Sequence, residues 1–189
     1  MKDIHSQDQT DYGVLNALIG TWYGESGVDV SPEEATDETH HYREEMIFEP
    51  VRDVDNAEEQ ELVALRYRQT VIRIRDEKLI HAETGFYSWD SENKLLVKSL
   101  SIPRGLSLVA GGSVETQDDE TVFKVVSAKG HQDWGIVEAP FLQQNATMHT
   151  YDFEMSLNGD CLRYFQSMRI SIYGREVEHT DRNTLKRIS

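Results

Sequence analysis

The sequence predicts an all-β protein: an up-and-down antiparallel barrel of about ten strands, with one short N-terminal helix closing one end. Three observations carry that reading. From residue 20 onward the chain falls into short stretches that alternate apolar and polar side chains, the period of a half-buried strand. Turn residues separate each stretch from the next at hairpin spacing. Only one segment has helical spacing. A sheet of many short hairpin-linked strands removes its exposed edges by closing on itself. A barrel of about ten strands is wider than its side chains can fill, so it encloses a ligand cavity.

The helical segment is TDYGVLNALIG. Val14, Leu15, Leu18 and Ile19 fall on one face after a Thr10/Asp11 start signal, and Gly20 ends it. A first strand begins at Thr21 in TWYGESGVDV, where Gly24 and Gly27 mark bends or close backbone approach. HHYREEMIFEPV follows, with Tyr42, Met46 and Phe48 alternating with charged neighbours. In ELVALRYRQTVIRIRD, Leu65, Tyr67, Gln69 and Val71 share one face and Arg66 and Arg68 the other. KLIHAETGFYSWD, NKLLVKSLSIP, GLSLVAGGSVE and ETVFKVVSAKG continue the series. The segment HQDWGIVEAPFLQQN (131–145) is less regular. ATMHTYDFEMSLNG, DCLRYFQSMRISIYG and REVEHTDRNTLKRI complete it.

A chain of 189 residues suits one domain: a flexible tail over 1–10 and a single barrel over 11–189. Its 34 acidic against 19 basic residues give a net charge of −15, a surface that repels phosphate backbones and anionic lipid headgroups. Neither nucleic acid nor membrane is therefore expected as a partner; a small molecule in the cavity is. A lone cysteine, Cys161, permits no internal disulfide and no multi-cysteine metal site. The N-terminus has no secretory stretch, which points to a cytoplasmic protein. Nucleophile-elbow, P-loop and H-E-x-x-H motifs are absent, and Glu44 and Glu45 are consecutive on a strand, so they face opposite ways. The oligomeric state is open, with a homodimer among the options.

Gly20-Thr21-Trp22 is the G-x-W of the first strand of lipocalin-like calycin barrels, a group that includes fatty-acid-binding-protein-like folds. Arg187 stands on the last strand. In such barrels the arginine packs across the tryptophan and shuts the base, a cation–π contact of about 1–2 kcal/mol. YREEMIFEP (42–50), HAETGFY (81–87) and the terminal His-to-Arg strand resemble, more narrowly, the nitrobindin family, which includes the domain at the end of some human THAP proteins. The resemblance implies a ten-stranded barrel holding ferric heme, heme b, through one last-strand histidine, with nitric oxide binding or peroxynitrite isomerisation as its chemistry. It assigns His179 as the iron ligand. His81, Met168 and Ile102 would line the pocket, and Arg104, in the turn Ile102-Pro103-Arg104-Gly105, would meet a propionate. The first strand departs from the family: it runs GVDVSPEE, without the aromatic of the usual Tyr-Pro. DVDNAEEQE (53–61) and 131–145 look like insertions.

Strand parity reaches His179 independently. If Arg187 pairs with Trp22 at the base, His179 lies 187 − 179 = 8 positions back, an even number. It then faces inward, roughly 26 Å along the strand and near the mouth. Asp181 and Asn183 share its face and are not apolar. Consecutive His40 and His41 cannot both serve one site from a regular strand. Trp134 and Phe141 flank a segment suited to cover the mouth, or to hold an insertion down. Two other functional classes stand beside the heme reading. One is a heme-free carrier of a fatty-acid-like or other small hydrophobic ligand. The other is an interaction module with a side-chain-filled barrel. Whether the protein turns over a substrate or only binds one is left open.

Overall fold

The computed structural model describes residues 10–52, 60 and 62–189. Residues 1–9 of the expected tail, and all of 53–61 except Gln60, lie outside the described residues. The strands are Gly20–Pro32 (β1), Asp37–Val51 (β2), Leu62–Arg73 (β3), Lys78–Asp90 (β4), Leu95–Ile102 (β5) and Leu106–Gln117 (β6). They continue as Glu120–Ala128 (β7), Ile136–Glu138 (β8), Ala146–Asn158 (β9), Cys161–Ile172 (β10) and Arg175–Arg187 (β11). Ten of them form a closed antiparallel barrel: β1 to β7 in order, then β9, β10 and β11, with β11 returning to β1.

The segment 131–145 is more regular than expected. It contains β8, which pairs with the first residues of β6, and a short helix, Pro140–Asn145 (α1). Together they fill the seam where β7 has not yet come alongside β6. A side chain substitutes for the missing ladder: Glu138 Oε1 accepts the Met148 N–H of β9 at 2.6 Å, and Oε2 pairs with Lys129 Nζ at 2.8 Å. Trp134 does not cover the mouth. It lies against Gly111, on the outward side of β6, where a β-carbon would stand 2.2 Å from the indole. Phe141 is 71% exposed, and it is Leu142 of α1 that reaches the interior.

The N-terminal helix is a 3-10 helix, Gly13–Leu18, rather than an α-helix. Asp11 Oδ1 accepts the Gly13 N–H at 2.9 Å. Its last carbonyls are taken by barrel side chains. Trp22 Nε1 donates to Leu18 O at 2.8 Å, and Arg187 donates to Ala17 O at 2.6 Å and to Ile19 O. Those bonds leave no call for a longer α-helical ladder. Trp22 and Arg187 are register partners, and the guanidinium carbon sits 4.1 Å from the indole centroid. Leu15 and Leu18 of the helix and Trp22, Leu96, Leu162 and Leu185 of the strands form the fully buried base.

Among the described residues, three bulges re-aim strands. On β1 one extra residue falls between Gly24 and Gly27 against both neighbours. Trp22 and Gly24 point inward before it, and Gly27 and Asp29 after it. On β4 the extra residue precedes His81, so Leu79, which regular alternation would put on the face of His81, is 62% exposed. The third falls on β9 beside His149. β11 pairs with β10 without interruption, so the parity from Arg187 to His179 holds along the strand.

Candidate ligand-binding site

Above the packed base, the barrel's middle is a layer of aromatic rings around one buried cation. Lys98 Nζ lies 4.0 Å from the Phe153 centroid, within 5.6 Å of the rings of Tyr67, Tyr87 and Tyr151, and 3.3 Å from Glu83 Oε1. It donates to Tyr151 OH at 2.7 Å. Burial works to raise the Glu83 pKa, but the Lys98 ammonium and the His81 and Tyr67 hydrogen bonds outweigh it, leaving it at about 2. Burial pulls the Lys98 pKa below its ordinary value, and Glu83 opposes it. A second buried carboxylate, Glu44, accepts from Tyr164 OH at 2.9 Å, Asn183 Nδ2 at 2.8 Å and Gln69 Nε2 at 2.7 Å. Desolvation dominates there and lifts its pKa to about 7 despite those three bonds.

This layer floors a cavity of about 570 Å³ that opens at the end opposite the plug. The volume is in the range of small-molecule and cofactor sites. The side-chain-filled barrel of an interaction module is thus not the arrangement found. One wall, from β5, β6, α1 and β9, is apolar, with Leu100, Leu106, Leu108, Leu142 and Met148. The facing wall is polar and carries Asp29, His81, His179 and Asp181. Met168 and Ile102 line the cavity, and Arg104 stands exposed at its mouth with Arg73 and Lys78 nearby.

His179 faces inward, about a quarter exposed. Its Nε2 is 2.6 Å from Asp29 Oδ1 and 3.6 Å from Asp181 Oδ2. Burial presses the imidazole toward its neutral form, but the hydrogen bond to Asp29 and the charge of Asp181 outweigh it and raise its pKa. For Asp29, burial works upward and the His179 contact wins, so its carboxyl is held below the usual range. Asp181 is pushed up, by burial first and by Asp29 across the ladder. Gln166 Nε2 donates to Asp181 Oδ2 at 3.0 Å. His81 Nε2 is 3.3 Å from Glu83 Oε2, and burial is again outweighed by the carboxylate, which raises the imidazole pKa.

Sequence reasoning reached His179, His81, Met168, Ile102 and Arg104, and the structure brings all five to one cavity. It missed Asp29, Glu44 and Lys98. For the last two a signal existed. Glu44 alternates with Tyr42 and Met46, and Lys98 stands between Leu96 and Leu100, so each charge occupies an inward position. For Asp29 there was none, because parity counted from Trp22 turns it outward unless the bulge is known.

The sequence matches the family model described as "THAP4-like, heme-binding beta-barrel domain" over residues 11–187. No curated protein sequence matches the chain. Among solved structures, it is similar to the crystal structure of Rv2717c from M. tuberculosis, with a TM-score of 0.70 and 22% identity over 93% of this chain and 95% of that one. That likeness is one of fold.

Proposed function

The chain belongs to the THAP4-like heme-binding β-barrel domain family, and from that premise we propose that it holds ferric heme b in the mouth cavity through His179, with nitric oxide or peroxynitrite as the small ligand. The observation that carries this is an imidazole facing a roomy, half-apolar cavity from the last strand. The donor set suits the group. His179 is hydrogen-bonded to the Asp29 carboxylate through Nε2, a contact that metal-ligating imidazoles commonly make with their second ring nitrogen; the leucine and methionine wall suits a porphyrin face, and Arg104 at the mouth suits a carboxylate substituent.

When bound, heme would supply an open iron coordination position for a diatomic or peroxy ligand. The chain's own residues do the rest. The apolar wall excludes water from one side of the cavity. His81, held by Glu83, offers a proton at a ring nitrogen within the polar wall. The floor is tied together by the Tyr42–Tyr164 and Lys98–Tyr151 hydrogen bonds and the Lys98–Glu83 pair.

Hemin titration of the protein beside its His179→Ala variant tests the proposal. The wild type is expected to give a sharp Soret shift at one equivalent, and the variant to lack it. Equal spectra would remove His179 as the ligand. No Soret change in the wild type, with retained binding of a fluorescent fatty-acid probe, would favour the heme-free carrier.

A further inference from the structure

Of the two carboxyls buried in the floor, Glu83 has a cation beside it, Lys98 at 3.3 Å. Among the described residues, Glu44 accepts hydrogen bonds from neutral groups alone: Tyr164 of β10, Asn183 of β11 and Gln69 of β3. The charged groups that face it divide. Asp181 of β11 opposes its ionisation, whereas His81 of β4 and Lys98 of β5 are held in their charged forms partly by it. Asp29 of β1 joins Asp181 and Glu44 in acting on the neighbouring Tyr42 hydroxyl. A buried carboxylate with no counter-charge in contact is costly, so Glu44 is poised to hold a proton. It does not itself line the cavity, but Tyr42, Tyr164 and Gln69 do. The Tyr42 and Tyr164 hydroxyls stand 2.7 Å apart, and that of Tyr164 is 2.9 Å from Glu44 Oε2. An unbroken chain thus runs from the carboxyl to the cavity wall.

The same heavy-atom positions satisfy two proton arrangements. With Glu44 ionised, Tyr42 donates to Tyr164 and Tyr164 to Glu44. With Glu44 protonated on Oε2 the chain reverses: the carboxyl donates to Tyr164, Tyr164 to Tyr42, and Tyr42 to the carbonyl oxygen of Arg182 at 3.2 Å. Asn183 and Gln69 keep their bonds in both, since a carboxyl oxygen accepts whether or not it bears hydrogen. We propose that Glu44, Tyr164 and Tyr42 form a proton relay, in which Glu44 stores one proton and Tyr42 exchanges it with a small molecule in the cavity. On discharge the Glu44 O–H bond breaks and its proton passes to Tyr164. The Tyr164 proton passes to Tyr42, and the Tyr42 proton goes to the acceptor instead of to Arg182 O. Both tyrosines end neutral, the carboxyl takes the negative charge that the acceptor loses, and nothing is oxidised or reduced. The acceptor such a relay suits is the basic oxygen or nitrogen of a weak-acid anion. The Glu44 pKa of about 7 supports the role, because the store is then half filled near neutral pH. The relay goes beyond the heme reading: it needs the cavity and no iron.

Proton uptake by the hemin-free full chain should be followed by time-resolved infrared spectroscopy, with light-released protons from o-nitrobenzaldehyde taking the solution from about pH 8 to about pH 6. In the wild type the C=O band of a protonated carboxyl is expected to grow in, with an equilibrium midpoint of about 7. Glu44→Gln should lack that band. Tyr42→Phe keeps the Tyr164–Glu44 bond but opens the chain at the cavity. It should leave the midpoint within about half a unit and slow the uptake about tenfold or more. A purely structural tyrosine would move the midpoint and leave the rate alone. Tyr164→Phe should slow the uptake likewise and raise the midpoint, because the carboxylate loses a donor. It carries the comparison if near-UV circular dichroism shows Tyr42→Phe to be unfolded. A wild type without the band over that pH range would overturn the relay. So would uptake as fast in the folded phenylalanine variant as in the wild type, since the proton would then reach Glu44 by another path. Hemin enters none of these measurements, so failure of the relay and failure of His179 to hold heme are read separately.

Discussion

Glu44 shows what a single inward charge does to this barrel. Its carboxyl makes three hydrogen bonds, yet desolvation holds its pKa at about 7, well above the unfolded value of 4.5. Between those two values the folded state binds more proton than the unfolded state, so stability falls as pH rises through that window. The loss amounts to roughly 3 kcal/mol once pH exceeds 7. Glu44→Gln keeps the shape and removes the titration, so urea unfolding measured from pH 4.5 to pH 7.5 should show a flatter dependence than the wild type. An unchanged slope would mean that Glu44 is charged at no cost. The lysine of the floor obeys the same accounting with the opposite result: Lys98 and Glu83 compensate each other, and the carboxyl is driven down to about 2 rather than up. Both residues sat in plain alternation with buried neighbours in the sequence. Their meaning was hidden because a charged side chain at an inward position contradicts the usual preference for apolar ones, and only the partners explain it.

At the scale of the element, the bulge in β1 decides which residues meet the cavity. One extra residue between Gly24 and Gly27 turns the strand, so a parity that begins with Trp22 ends with Asp29 inside. The strand set, the helix-and-arginine base and the inward aim of His179 were all legible, because alternation and an uninterrupted β11 carry them. The bulge was not, since no residue type compels one; glycines permit it without announcing where the register slips. Gly27 has a further reason to lack a side chain: a β-carbon there would stand 2.2 Å from the Tyr42 ring. Gly27→Ala should therefore displace Tyr42 and strain its 2.7 Å bond to Tyr164, costing about 1–3 kcal/mol in urea unfolding with an unchanged m-value. A cost within a few tenths of a kcal/mol would show that the ring yields freely.

The whole molecule carries a net charge of −15, and among the described residues the buried carboxylates Asp29, Glu44, Glu83, Asp90 and Glu138 outnumber the buried ammonium of Lys98. Self-repulsion in the compact state exceeds that in the expanded one, so screening favours folding. The thermal midpoint should rise as NaCl goes from about 10 mM to about 150 mM, where the Debye length shrinks to roughly 8 Å. A midpoint that falls over that range would show that local ion pairs, such as Arg73–Asp76 at 2.7 Å, outweigh the net charge. The aromatic layer with its ammonium has one last effect on the chamber above it. It stops the hollow halfway down, so a straight acyl tail seeking depth would run into an ion pair wrapped in tyrosines. What remains is a chamber of about 570 Å³, leucine-lined on one side and set with imidazoles and carboxylates on the other.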